Sequence, residues 1–315
     1  MRQFKTHVIV NPESNQGRTR KRWGEIRDAL KKSIREYKCE FTEKPFDATE
    51  IARQTIKDGT ELVIGVGGDG TMNEIANGFF EDRRVINPEA TLGIVPSGTG
   101  CDLTKSLSIP PGLTNALKVI TEAPSVQMDV GKVQFKNHQG GDEERFFLNV
   151  ADFGLGGEVV RKVNQRRLER KASSYVRCLI TTMIQYRSKK VGIRVDGEVL
   201  PQGEYLIGAI ANGRIFGKGM KVAPGARLDD GLFDNVLVRS MKFFEFCLHG
   251  WKLMNGSHLS HPKITLVRGR TVEAIPEAGE EVLLELDGEQ LGRLPATFEV
   301  LPRYLAIKGF LEQVR

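Results

Sequence analysis

The chain has 315 residues, 40% hydrophobic and 27% charged, enough to bury two separate cores, which argues against one enlarged domain. Its four cysteines, Cys39, Cys101, Cys178 and Cys247, lie far apart with no Cys-x-x-Cys spacing. That excludes a disulfide framework and a zinc pattern and leaves reduced thiols, as expected of a cytosolic protein. A formal net charge of +6 favours acidic partners without choosing among nucleotides, anionic lipid surfaces and nucleic acid.

In chain order, Met1-Arg-Gln-Phe-Lys leads into a strand, not into an apolar signal core, and no later apolar run approaches the roughly 18 residues that span a bilayer. The expectation is a soluble protein, or one that rests on a membrane. Strand His7–Val10 is followed by a helix from about Arg18 to Tyr37, a helix Ala48–Lys57 and a strand Leu62–Val66. A helix Met72–Phe80, a strand Thr91–Pro96 and a helix within Leu113–Glu122 continue the alternation, which predicts a parallel α/β domain. Near Gln127 the texture changes. Strand patterns at Lys132–Phe135, Phe146–Val150, Val191–Val195, Leu206–Asn212, Asn235–Val238, Lys263–Arg268 and Val282–Leu286 predict antiparallel sheet, interrupted by helices around Gly156–Gln185 and Lys242–Leu253. The reading is an α/β domain over 1–128 and a β-rich, sandwich-type domain over 129–315, packed across a cleft, the last residues returning to the first domain.

The stretch Leu62–Gly78, LVIGVGGDGTMNEIANG, runs an apolar strand through a glycine-rich turn into an amphipathic helix. Glycines 65, 67, 68 and 70 let the backbone turn and present N–H groups to an anion, and the helix adds its positive end. Asp69 repels a phosphate unless a divalent cation stands between them or the carboxylate serves the chemistry, so the motif reads as a metal-assisted nucleotide site. Gly65-x-Gly67-x-x-Gly70 also fits the dinucleotide fingerprint literally. That match is weak, because a strand and two helices precede it and no ribose-binding acid follows. Two more small-polar loops, Asn11–Asn15 and Ser97–Asp102, end strands of the same half and belong at the carboxyl edge where parallel sheets bind ligands.

Together NPESNQG, GVGGDGTMNEIANG, VPSGTGCDLTKSL, ANGRIFGKGMKVAPGARLDDGLFD and DGEQLGRLPATFEVLP resemble the diacylglycerol kinase catalytic family, in the soluble bacterial branch related to sphingosine and ceramide kinases. The resemblance spans nearly the whole chain and implies an NAD kinase/phosphofructokinase-like first domain. It implies that ATP is held by Asn11, Pro12, Glu13, Ser14 and Asn15, by Thr42, by Gly67, Gly68, Asp69, Gly70, Thr71, Met72 and Asn73, and by Ser97, Gly98 and Thr99, with Glu74 fixing the loop. It further implies a structural Mg²⁺ on Asp230 and the carbonyls of Arg227 and Leu232, an acidic network of Asp69, Asp102 and Asp129, and Glu289 as general base. Asp69 itself is the alternative base. The implied reaction is phosphorylation of a lipid hydroxyl, first of all that of diacylglycerol. Another amphiphile, NAD, or a sensor without catalysis are the alternatives. The expected setting is the cytoplasm at the inner membrane face, with an anionic membrane surface as partner, a homodimer possible and no nucleic acid.

Two Asp-Gly-Glu strings, Asp196-Gly197-Glu198 and Asp287-Gly288-Glu289, read first of all as hairpin turns. Only the second precedes Pro295-x-x-Phe298-Glu299-Val300, which places the base at Glu289 and leaves Glu198 replaceable. Cys101 stands where the family usually has Asn, and Lys218 where Gly is common. Arg161–Lys190 pairs basic residues, among them Arg166, Arg167 and Arg170, with Tyr175, Val176, Leu179, Ile180 and Met183 at helical spacing, a possible membrane foot. Trp23, Trp251 and the group Phe243, Phe244 and Phe246 read as core. His7, His138, His249, His258 and His261 are too sparse for a metal site.

Overall fold

A computed structural model describes residues 4–165 and 172–311, with Gln165 and residues 172–176 as backbone only. Arg166, Arg167 and Arg170 lie outside the described residues, as do the side chains of Tyr175 and Val176. The chain forms two compact units. The first takes residues up to Val130, the segment Arg227–Asp230 and the chain from Leu301; the second takes Gly131–Ala226 and Gly231–Val300.

The first unit holds β1 (Thr6–Val10), α1 (Ser14–Ser33), β2 (Lys38–Phe41), α2 (Asp47–Lys57), β3 (Leu62–Gly67), α3 (Asp69–Asn77), the short β4 (Phe80–Glu81) and β5 (Arg84–Val85), β6 (Thr91–Pro96), α4 (Asp102–Ser106) and α5 (Leu113–Glu122). Its sheet is parallel in the order β2-β1-β3-β6, with Val8 opposite Cys39 and Ile64, and Ile64 opposite Gly93. β1 is buried along its whole length, as a strand covered on both faces must be. Alternation along β1 and β3 explains the two layers. Val8, Val10, Ile64 and Val66 pack on Ile26 and Leu30 of α1 and on Leu117 and Ile120 of α5, while Gly65 faces Met72 and Ile75 of α3 on the other side.

α1 becomes regular only at Arg18, where the spacing predicts its start, because Asn15, Gln16 and Gly17 take left-handed φ values of 53°, 61° and 73°. It stops at Ser33 rather than Tyr37, since Ile34 is extended and the chain turns into β2. β2 escapes the sequence pattern because this edge strand is mostly exposed and does not alternate. α3 begins at Asp69, three residues before the spacing predicts.

The second unit holds β7 (Ser125–Asn137, from Gly131 onward), β8 (Asp142–Phe147), β9 (Val150–Gly154), α6 (Leu155–Gln165), α7 (Ala172–Gln185), β10 (Lys189–Val195), β11 (Glu198–Val199), β12 (Gly203–Ala211), β13 (Phe233–Arg239), α8 (Phe243–His249), α9 (Lys252–Asn255), a 3-10 turn at Ser257–Ser260, β14 (Ile264–Gly269), β15 (Thr271–Pro276), β16 (Leu283–Leu286) and β17 (Glu289–Lys308). β17 leaves this unit after Val300, and Ile307 pairs with Leu92 of β6 in the first. Antiparallel pairing runs β9-β16-β17-β15-β10-β12 and back to β9. This ring wraps a core in which Phe147 stacks on Phe233 at 5.6 Å between ring centres and meets Phe298 edge-on. β15 and the 20-residue β17 are absent from the predicted strands; in β17 prolines and charges interrupt the alternation.

Candidate active site

In the first unit the two glycine loops lie backbone against backbone. A Cβ on Gly98 would stand 2.4 Å from the Gly68 Cα, so nothing larger than hydrogen fits. None of Gly65, Gly67, Gly68 and Gly70 has positive φ. The glycines therefore serve close approach, not the sharp turn expected: a Cβ on Gly67 would overlap Thr71 at 2.5 Å, and one on Gly65 would overlap Met72 at 2.6 Å. Met72 is accordingly a core side chain, and Asn73 is buried beneath Asn77, which donates to it at 3.1 Å.

Side chains tie the three loops together. Asn11 donates to Thr71 Oγ1 at 3.0 Å, and its own Oδ1 accepts the Glu13 N–H at 3.0 Å. A hydroxyl chain joins Ser14, Thr19 and Ser97, with oxygens 2.5 Å apart at each step. Thr19 is a member of this network that sequence reasoning missed; its signal was a threonine on the inner face of α1. Glu13 pairs with Arg20, and Thr99 is exposed on its loop. Asp69 accepts the backbone N–H of Asp102 at 3.1 Å and of Leu103 at 3.2 Å. A carboxylate from the first turn of α3 thus holds the start of α4, and Asp102, itself buried, pairs with Lys105 at 2.7 Å. The helix start and the paired loops offer N–H donors to an anion.

Beside the first loop lies a cavity of about 470 Å³ lined by Pro12, Glu13, Arg20, Trp23, Phe41, Thr42 and Glu43. Trp23 meets Phe41 edge-on at 5.1 Å. Trp23 therefore only half belongs to the core, and it lines this cavity together with Phe41 and Thr42.

Asp129 is fully buried. It accepts the Arg303 N–H at 2.7 Å, and its own N–H donates to the Leu228 carbonyl at 2.6 Å. The Arg227 guanidinium is engaged by Asp229 at 3.1 Å. Asp230 with the Arg227 and Leu232 carbonyls would be an all-oxygen donor set, the chemistry Mg²⁺ requires. Arg227 and Asp230 belong to the first unit and Leu232 to the second. Glu74 is half-buried on α3 and its carbonyl accepts the Thr49 hydroxyl at 2.8 Å. No cluster of three or more His, Cys, Asp or Glu suited to a metal occurs among the described residues.

In the second unit both Asp-Gly-Glu strings are hairpin turns with left-handed Asp and Gly. Asp287 accepts the N–H groups of Leu148 at 2.7 Å, Asn149 at 3.0 Å and Val150 at 3.1 Å. Asp196 likewise takes the N–H groups of Arg270 at 2.9 Å and Thr271 at 2.8 Å. The turns differ in what stands after and beneath them. Glu289 is half-buried and Glu198 exposed. Beneath the Glu289 hairpin, Glu285 accepts the Gly288 N–H at 2.7 Å and faces Asp152 across the β9–β16 pair. Burial pushes Asp152 up to about 7, offset in part by Glu285 and the Gly157 N–H; burial and then Asp152 raise Glu285 well above the carboxylate range. Neither Asp152 oxygen has a hydrogen bond of ordinary geometry among the described residues. A proton held between the two carboxyls accounts for both observations. The signal for the pair was an acid at an inward position of each apolar strand.

α6, α7, β12, β13, α8 and α9 of this unit enclose a narrow pocket of about 90 Å³ walled by apolar side chains such as Leu155, Val159, Leu206, Val236, Phe246 and Leu253. His249, His258 and His261 line it too, so these histidines belong to a pocket that the sequence gave no reason to expect. His258 donates from Nε2 to the Val222 carbonyl at 2.9 Å, and His249 meets His261 edge-on at 4.8 Å. Phe243, Phe244 and Trp251, expected in the core, are instead 37%, 77% and 61% exposed.

Comparison with known proteins matches residues 5–133 to the diacylglycerol kinase catalytic domain and residues 149–309 to the YegS C-terminal NAD kinase beta sandwich-like domain. A protein of Staphylococcus carnosus named diacylglycerol kinase is 28% identical over 305 residues, covering 96% of this chain and 94% of its own. A solved structure from Bacillus anthracis, described provisionally as a diacylglycerol kinase, superposes with a TM-score of 0.76 at 26% identity over 98% of both chains. Yeast NADH kinase shares the fold, with a TM-score of 0.55 at 13% identity, over 100% of this chain and 85% of its own.

Proposed function

This chain belongs to the diacylglycerol kinase catalytic family and is a lipid kinase, and from that premise we propose that it transfers the γ-phosphate of ATP to the hydroxyl of diacylglycerol, giving phosphatidic acid. The observation that carries the lipid assignment is the pocket of the second unit, whose largely apolar walls suit a hydrocarbon chain. The base of ATP takes the cavity beside Trp23, Phe41 and Thr42. The phosphates take the paired loops, where Asn11 to Asn15, the N–H groups of Gly68 to Thr71 and the turn Ser97 to Thr99 receive them.

Asp69 serves to position. With an N–H on each oxygen it clamps the start of α4 and keeps the loops in register, which favours Glu289 over Asp69 as the base. Glu289 takes the proton of the lipid hydroxyl as its oxygen bonds to the γ-phosphorus and the bond to the bridging oxygen of ADP breaks. Asp230 with the Arg227 and Leu232 carbonyls would hold Mg²⁺, and a divalent ion bound with ATP would supply charge neutralisation. The protein works at the face of an anionic membrane.

The test is transfer of labelled γ-phosphate to diacylglycerol, ceramide, sphingosine, phosphatidylglycerol and NAD in parallel, for wild type, Glu289→Gln and Glu198→Gln. Label on diacylglycerol, lost by about a thousandfold only in Glu289→Gln, is the expected result. Label on another acceptor alone would overturn the substrate, and equal loss in both variants would overturn the base.

A further inference from the structure

The helices that wall the apolar pocket have a second apolar face. On α8 and α9, Phe246 and Leu253 line the pocket, while Phe244, Leu248, Trp251 and Met254 point to solvent, 77%, 56%, 61% and 57% exposed. Gly250 and Trp251 keep helical dihedrals, so Phe244, Leu248 and Trp251, spaced four and three residues apart, form one stripe that continues from α8 into α9. α7 repeats the arrangement: Leu179 lines the pocket, and Ile180 and Ile184 are 41% and 61% exposed. So much large apolar surface grouped on neighbouring short helices marks a binding face.

The chemistry of the face selects its occupant. Phe and Trp suit the boundary between water and hydrocarbon. Lys242 and Lys252 flank the stripe, and Glu245, its one carboxylate, is drawn off by Lys263 at 2.6 Å and His261 at 3.6 Å. The net result is a weakly cationic rim around an apolar stripe, complementary to an anionic bilayer. The face is also continuous, through the thickness of the same helices, with the pocket that a lipid must enter.

We propose that the outer faces of α7, α8 and α9 lie in the surface of a lipid bilayer, and that the lipid substrate passes between these helices from the bilayer into the apolar pocket. The proposal rests on reading that pocket as the lipid site. It places the membrane contact on Phe244–Met254 and, of the segment Arg161–Lys190 singled out from sequence, on Ile180 and Ile184.

The test uses vesicles of phosphatidylcholine with a minority of phosphatidylglycerol. In the Trp23→Phe protein Trp251 is the sole tryptophan, and its emission is expected to shift to the blue on binding and to be quenched by brominated lipid. The variant Phe244→Ser/Leu248→Ser/Trp251→Ser, with its fold checked by circular dichroism and melting, is expected to lose vesicle affinity by about a hundredfold. Its turnover of diacylglycerol in vesicles is expected to fall in parallel, while phosphorylation of a short-chain diacylglycerol dissolved as monomer stays at the wild-type rate. Unquenched Trp251, wild-type vesicle affinity in the triple variant, or equal loss on the soluble substrate would overturn the proposal. So would a wild-type dimer that the triple variant dissociates, because a second copy would then be the occupant. Vesicle binding through Trp251 with no lipid phosphorylated would keep the docking surface and sink the proposed reaction.

Discussion

Cys101 sits at φ 50°, in the left-handed region, as the cap of α4. Its carbonyl accepts the Thr104 hydroxyl at 2.6 Å, and burial, then Asp69, push its thiol up to about 12, so the side chain is an inert filler. Asn tolerates that backbone better than Cys, which gives a structural reason for the family's usual residue that the sequence alone does not supply. Cys101→Asn is expected to gain about 0.5–1 kcal/mol, read as a rise in Tm of about 1–4 °C, and to change KM for ATP because this turn abuts the glycine loops proposed to hold the nucleotide. An unchanged Tm and KM would show that the position is neutral. Lys218 takes φ 69°, a left-handed value that favours the Gly usual in the family and gives no reason for the Lys. The identities of the loop residues Asn11, Asp69, Thr71 and Ser97 were legible because small polar residues between a strand and a helix have few other uses. Their mutual contacts were not, since Asn11 and Thr71 stand 60 positions apart.

At the scale of elements, one hairpin design occurs twice with different consequences. Asp287 clamps three N–H groups of the β8–β9 turn, and Asp196 clamps two at the start of β15. Removing a carboxylate that satisfies part-buried N–H groups costs about 2–3 kcal/mol, and less where water replaces it. Asp287→Ala is therefore expected to lower stability more than Asp196→Ala in urea titrations. Only Asp287→Ala should also abolish turnover, because its turn carries Glu289; full turnover by Asp287→Ala would detach that turn from the chemistry. The two turns look alike in sequence because Asp-Gly specifies the hairpin and says nothing of the strand it clamps. The stripe of α8 and α9 shows the same limit. Helical spacing identifies an apolar face, yet Phe246 inside and Phe244 outside are indistinguishable until the neighbouring helices are in place.

For the molecule as a whole, the buried carboxyls Asp152 and Glu285 make stability depend on pH. Both are raised, so the folded protein binds more protons than the unfolded chain above the ordinary carboxylate range. Stability is then fully present at acid pH and falls as pH rises from about 4 through about 7, by about 1.4 kcal/mol per pH unit for each proton retained. Urea unfolding followed between about pH 5 and 8 is expected to show that slope, and Asp152→Asn to flatten it. A wild-type curve flat over this range would mean that the pair is ionised in the fold. The sequence by itself determined the division into an α/β and a β-rich half and the family. It also determined the small-polar loops proposed to meet phosphate, because strand-turn-helix patterns and small polar turns are local properties. Only the tertiary structure decided that the return to the first unit is made by the single strand β17, that Asp152 meets Glu285, and that an apolar pocket has an apolar outer rim. These depend on contacts between residues far apart in the chain, and periodicity within a segment carries no record of them.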